Sequence, residues 1–369
     1  MKTLLVIIIS LLLSITSISA NETSPLKVGF TAGNPEVTSI NAITFGPEGI
    51  LFIGDSKSAQ VVAIDLSAHA KTDNSKVRID KLDQQIADML GAAIDQIQIT
   101  DMVVNPENNN IYISVMHGSG NPLLLRVENN ALKTVALDNV SFTKSEITDP
   151  VSNEAKDRRG RQLRRWAVAD IKYTNGKVLL SGLSNKEFAS TFRSIDFPFN
   201  KKQNYGSLEI YHAAHGKYET HAPIKTFLTA DISGVTHIVA AYTCTPLVVF
   251  PMSDVKPGEH TKGRTIAELG SGNSPLDIVE VKSDNAHYLL ISNSNRPLMR
   301  LDFDDLESFK ASLTEPVTIK GAAVGVDYVN MPFVNVQQLD AYDKGFVMIQ
   351  RESSGNLALK HGSSWWLSK

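Results

Sequence analysis

Six polar side chains recur at one place in a repeated pattern. Asn41, Asp101, Asp170, His237, Asp277 and Gln338 each sit between apolar neighbours near the start of an apolar stretch, at intervals of 60, 69, 67, 40 and 61 residues. Packing alone would accept Ala, Val or Ile at such positions, so six polar groups brought together would line a hydrated channel or a ligand site. Three Asp together with amide oxygens suit a hard cation, Ca²⁺ or another divalent ion. Clustered carboxylates need such an ion, or a shared proton, to relieve their repulsion. Asp101, Asp170 and Asp277 are therefore the candidate metal ligands. A second set, Asp55, His117, Asn185, Cys244, Asn293, Asn295 and Arg351, follows the second apolar stretch of its repeat and is expected at the same mouth.

Residues 156–166, KDRRGRQLRRW, place six basic residues in ten positions. Guanidinium forks match carboxylate, sulfate and phosphate. Arg158, Arg159, Arg161, Arg164 and Arg165 thus form a candidate anion site for an acidic saccharide or a phosphorylated compound; the plainer reading is a solvated loop. His212, His215 and His221 have spacing that could hold zinc, but are expected on an outer hairpin, pointing apart on the opposite face. Cys244 would be a nucleophile or soft-metal ligand with His117 or His237 beside it; a lone Cys is more often a small buried hydrophobe. Trp365 and Trp366 are adjacent, so on a strand they would face opposite sides. C-x-x-C-H, G-x-S-x-G, H-E-x-x-H and P-loop patterns are absent.

The elements that carry these residues form six copies of one unit: an apolar strand, a short turn, a second strand, a polar loop and a third strand. The copies begin at residues 39, 99, 167, 235, 275 and 334. Turns such as Pro47-Glu48-Gly49, Thr174-Asn175-Gly176 and Tyr342-Asp343-Lys344-Gly345 hold the residues that tight reversals need. The fourth copy lacks a clear turn, its first two strands running together through Ala240-Ala241. A unit of 40 residues or more that cannot bury both faces of its own sheet predicts a β-propeller: six blades, with seven as the alternative count, each of four antiparallel strands. Residues 26–30 are expected to complete the last blade. Residues 81–91 carry apolar positions at helical spacing and predict a short helix, a patch over a loop or a lid.

The first, second and fifth copies resemble the NHL-repeat and SMP-30/gluconolactonase type of propeller. Residues 40–55, INAITFGPEGILFIGD, and 275–295, PLDIVEVKSDNAHYLLISNSN, carry its outline. The resemblance implies acidic and amide side chains at one mouth, holding a divalent cation that polarises a lactone carbonyl. The glutamate expected among those ligands has no match, since the first copy offers Asn41.

Composition fits a folded protein: 369 residues, 42% hydrophobic and 20% charged, with a net charge of −3. That charge argues against a nucleic-acid partner. Met1-Lys2, the apolar run 4–13 and the small residues before Asn21 have the layout of a secretory signal peptide. Residues 1–20 are thus expected to be removed, and residues 21–369 to form one propeller domain, periplasmic or extracellular, with no membrane span in the mature chain. One cysteine cannot close an intrachain disulfide. Asn21 and Asn139 begin N-x-S/T sequons. The expected function is binding of a small-molecule, anionic or glycan ligand, or another exported protein, at the axial mouth. A divalent-metal hydrolase of the lactonase type is the alternative, and a redox-associated propeller ranks last.

Overall fold

A computed structural model describes residues 24–200, 202–283 and 286–362. The expected signal peptide, Asn21 and the Trp365-Trp366 pair lie outside the described residues. Among these residues no helix is long and apolar enough to cross a membrane.

The fold is a six-bladed β-propeller. The inner strands are Ala42–Phe45 (blade 1), Ile97–Val104 (blade 2), Asp170–Thr174 (blade 3), Ile224–Ile232 (blade 4), Pro275–Ser283 (blade 5) and Val336–Tyr342 (blade 6). Each pairs antiparallel with a second strand, and that with a third. Second strands are apolar on both faces because both are covered: in Ile50–Asp55 every residue is buried.

Blade 4 corrects the expected register. Its inner strand is Ile224–Ile232, and His237 lies on the second strand, Val235–Tyr242. The reversal between them is Ser233-Gly234, both at positive φ (54° and 77°), a two-residue hairpin turn of the kind that right-twisted strands favour. Thr226 therefore takes the place expected of His237. The intervals become 56 residues from Asp170 and 51 to Asp277, which removes the anomalous gap of 40.

The blades do not follow one another around the ring in chain order. Ile43 and Phe45 of blade 1 share a core with Val103 and Tyr112 of blade 2, and Phe52 of blade 1 packs with Ile171 and Val178 of blade 3. Met102 and Val104 of blade 2 pack with Val347 and Ile349 of blade 6. The remaining cores join blades 3 and 4, 4 and 5, and 5 and 6. The ring thus reads 3-4-5-6-2-1. After three strands of blade 1 the chain crosses to the edge of blade 6, where Arg78–Ile79 pairs with Leu357–Gly362. It then builds blade 2 and returns to blade 1 as Val140–Glu146 before entering blade 3.

Arg78–Ile79, and not residues 26–30, therefore completes the last blade. Residues 25–27 form a 3-10 turn, and Thr31–Gly33 edges blade 1 against Val140–Glu146. The expected helix is Leu82–Leu90. Its Leu82 and Ile86 are buried in the core between blades 2 and 6 while Met89 and Leu90 stay exposed, so it patches that seam.

Candidate functional site

An inner strand is an edge strand: its outer side pairs within the blade, and its axial side has N–H groups with no ladder partner. Such groups must find an acceptor. Four aspartates supply it, each clamping two strands. Asp101 accepts from Met102 N–H of its own strand (2.8 Å) and from Ile43 N–H of blade 1 (2.7 Å). Asp170 accepts from Ile171 (2.7 Å) and from Phe227 of blade 4 (2.9 Å). Asp277 accepts from Ile278 (2.8 Å) and from Leu339 of blade 6 (2.8 Å). Asp340 accepts from Ala341 (2.8 Å) and from Val104 of blade 2 (2.6 Å). All four reach to the next blade in the same rotational sense. Bulges just before Thr226, Asp101, Asp277 and Gln338 re-aim these side chains toward the axis, a common use of a bulge.

Two of the central residues, Lys172 and Asp340, were absent from the expected set. Side chains two apart on a strand share a face, so the pairs Asp170/Lys172 and Gln338/Asp340 present both members to the axis. Lys172 Nζ lies 3.7 Å from Asp170 Oδ1 and keeps 29% side-chain exposure, deep in the protein yet wetted through the channel. Burial works against its ammonium, but Asp170, Asp277, Asp101 and Asp340 together outweigh that and hold it charged more firmly than usual. The acids respond oppositely. Burial, reinforced by the neighbouring Asp277 carboxylate, pushes Asp101 well above the usual carboxylate range. Burial likewise raises Asp277 to about 7 and Asp340 to about 6, against the pull of Lys172. Lys172 among four aspartates, with Lys225 at the throat, leaves a surplus of negative charge that bound protons partly relieve.

The channel is uneven. Where the inner strands begin, Asn41, Asp101, Asp170, Lys225, Thr226, Asp277 and Gln338 line a throat of only about 10 Å³. Toward the strand 1–2 turns it widens to a cavity of about 520 Å³, lined by Asp101, Lys172, Asp277, Asp340, apolar residues such as Phe45 and Leu228, and Asp343 at the turn. The roomy mouth is thus opposite to the one expected. The throat is drawn tight by cross-blade bonds, such as Gln338 Nε2–H to Thr100 O (3.3 Å) and Thr226 Oγ1–H to Asp170 (2.9 Å).

Asn41, Asp101, Asp170, Asp277 and Gln338 are brought together as expected; the loop residues are not. Asp55 is fully buried and accepts from Thr38, Ser39, Ser58 and Gln60, a knot that holds its loop. Asn293 is tied to Asn273, Ile291 and Pro297. His117 bonds to Ser119 (2.6 Å), Arg351 donates to Gly355 O (2.6 Å), and His237 meets Val235 O (2.8 Å). The arginine segment enters at the throat end, where Asn41 Nδ2–H donates to Arg165 O (3.5 Å). Arg161 pairs with Asp157, Arg164 donates to Val151 O, and Arg165 stacks on Trp166. Arg158 and Arg159 are exposed.

Cys244 meets neither His117 nor His237 but His212; His212 and His215 lie together beside it at the throat end, not apart on the opposite face, and His221 is not in the group. Among the described residues the one group of three His, Cys, Asp or Glu ligand atoms close enough to share a metal ion is His212, His215 and Cys244. The axial aspartates do not form such a group: each oxygen serves an N–H, and the carboxylates stand around the channel wall.

No family model matches the chain, and no curated protein matches it. Among solved structures it is similar to a protein described as an oxidoreductase (glucose dehydrogenase) from Thermus thermophilus, at 10% identity and TM-score 0.38, covering 90% of this chain and 100% of that one. It is also similar to Kuenenia stuttgartiensis hydrazine synthase, at 10% identity and TM-score 0.37, covering 89% and 97%. A third likeness is to a chain of a mitotic checkpoint complex, at 7% identity and TM-score 0.36, covering 96% and 99%. At these levels the likenesses say nothing of activity.

Proposed function

We propose that this protein is an exported binding propeller that takes a small organic cation in its axial cavity. The observation that carries the reading is the charge imbalance: Asp101, Asp170, Asp277 and Asp340 share one channel, with Asp343 at its wide mouth, against Lys172 inside it and Lys225 at its throat. The cavity of about 520 Å³ is far larger than one metal ion and of the size that takes a small molecule. The apolar stretches of its wall and the carboxylates spaced around it suit an amine or amidine with a short hydrocarbon body. A low-dielectric wall with a net negative charge also concentrates cations at the opening. The lactonase reading needs carboxylates free to converge on one ion, and the paired N–H bonds on each axial aspartate weigh against it. The exported setting rests on the N-terminal residue pattern alone.

Calorimetric titration of the purified chain with primary amines, guanidines, carboxylates and neutral sugars tests the reading. The expected result at about pH 6 is binding of cations with release of protons, because Asp277, raised to about 7, and Asp340, raised to about 6, are then wholly or partly protonated in the empty cavity, and loss of binding in Asp340→Asn. Binding confined to anions or neutral sugars, or cation binding unchanged in that variant, sinks it.

A further inference from the structure

At the throat-side rim, between blades 3 and 4, five side chains that the axial site does not use come together. His212 ends the strand Gln203–His212 of blade 3, His215 lies in the turn after it, and Glu219 ends the short returning strand Lys217–Glu219. Cys244 sits in the loop between the second and third strands of blade 4, and Glu268 ends Arg264–Glu268 of that blade. We propose that His212, His215 and Cys244 form a binding site for a thiophilic transition-metal ion of the zinc class.

One ligand atom from each of the three lies within 4.8 Å of the others. Bonds of about 2.0 Å to nitrogen and about 2.3 Å to sulfur set tetrahedral ligands roughly 3.5 Å apart, so closing on an ion requires a movement of about 1 Å. Glu219 prepares both imidazoles for it. Its Oε2 is 3.0 Å from His212 Nδ1 and its Oε1 is 2.8 Å from His215 Nδ1. With an Nδ1 proton held there, each neutral imidazole keeps its lone pair on Nε2; at His212 that atom has the Thr245 hydroxyl 3.4 Å away, a contact an ion would displace. A carboxylate behind each histidine is the arrangement that orients metal-binding imidazoles. The histidine rings stand 3.7 Å apart, so their free edges face one region.

Glu268 is a separate pointer to an ion. It is 0% exposed; its Oε2 accepts from Ala214 N–H (3.1 Å), and its Oε1 has no hydrogen-bond partner. That oxygen lies 4.0 Å from His212 Nε2. A buried carboxylate oxygen without a partner is costly, and a cation held between Cys244 and the imidazoles offsets it. Cys244 itself holds φ at 84°, left-handed backbone that a non-glycine residue adopts only where its surroundings impose it. Two imidazoles and a thiolate select zinc, copper or cobalt over calcium or magnesium. His215 is half exposed, which leaves an entry path.

The test uses the full mature chain, stripped with chelator and titrated with Co²⁺, then with Zn²⁺ in competition. One equivalent of cobalt should bind with visible ligand-field bands and a near-ultraviolet thiolate-to-cobalt band, both erased by zinc. Cys244→Ser should lose the thiolate band. His215→Ala, at a half-exposed position that the fold tolerates, should weaken binding at least about 10-fold, and Glu219→Gln by about 10- to 100-fold through the lost orientation. Asp340→Asn should titrate as the wild type. A wild-type chain that binds no cobalt overturns the proposal, as do bands that persist unchanged in both Cys244→Ser and His215→Ala.

Discussion

Two clusters in this propeller gather buried acids around nitrogen bases, and they use their oxygens differently. On the axis, Asp101, Asp170, Asp277 and Asp340 each spend a carboxylate on two backbone N–H groups from two blades. On the rim, Glu219 spends its carboxylate on two imidazoles, and Glu268 leaves one oxygen unpartnered. Burial raises Glu268 as it raises Asp101, Asp277 and Asp340 on the axis, and Glu219 alone goes the other way. Burial raises Asp277 to about 7, whereas at Glu219 the burial that would raise it is outweighed by hydrogen bonds from His212 and His215, which bring it down to about 2. The axis is a structural clamp that carries surplus charge; the rim is a set of side chains posed toward one another. What a carboxylate does is decided by whether its partners belong to the backbone or to groups that can bind something else.

The widest separation between the two should come from removing an axial clamp. Asp277→Ala leaves Ile278 N–H and Leu339 N–H without acceptors between blades 5 and 6. At about 1–3 kcal/mol for each buried group left unmade, less the relief of repulsion with the other aspartates, the loss should be roughly 2–4 kcal/mol at pH 5. At pH 8 it should be smaller, because ionised neighbours then gain more from the missing charge. Denaturant midpoints of wild type and variant at the two pH values measure it. An equal loss at both would mean that the four carboxylates do not feel one another.

Wild-type stability should itself carry the sign of the axial shift. Asp277 and Asp340 bind protons more tightly folded, at about 7 and about 6, than at their ordinary 3.8. The folded chain therefore holds more protons than the unfolded one between those values, and stability falls as pH rises through 6 to 7. The slope should reach at most about 1.4 kcal/mol per pH unit for each proton, reduced by channel water. Asp277→Asn should flatten it. A midpoint that climbs from pH 5.5 to 7.5 would contradict the raised values.

The repeat and its polar inner position were legible because a strand has a period of two and a blade must bury both faces, so the pattern Ile-Thr-Asp-Met-Val at 99–103 announces itself. Lys172 and Asp340 were within reach of the same logic, two residues beyond positions already singled out. Blade 4 was misread because Ser233-Gly234 is a weaker turn signal than Asn-Gly, and the apolar run 238–241 masked it. The ring order was beyond reach: Arg78–Ile79 is a two-residue strand with no periodicity, and nothing local says that it pairs with residues 359–360. The rim cluster was missed for a related reason. His212 and Cys244 belong to different blades, and only the seam between blades brings them together.

A smaller effect sharpens the comparison from the rim side. Glu219→Gln keeps one carbonyl oxygen for an imidazole and loses the charge and the second acceptor. The groups it serves are side chains, one of them half exposed, so water can replace what is lost, and surface-screened pairs of this kind contribute little. In the presence of chelator the variant should lose only about 1 kcal/mol, well below the loss in Asp277→Ala. Denaturation of the two variants side by side measures the difference. If Glu219→Gln costs as much as Asp277→Ala, the rim carboxylate is a structural clamp like those on the axis. The histidines would then be posed for the fold and not for an ion, and the contrast between the clusters would be lost.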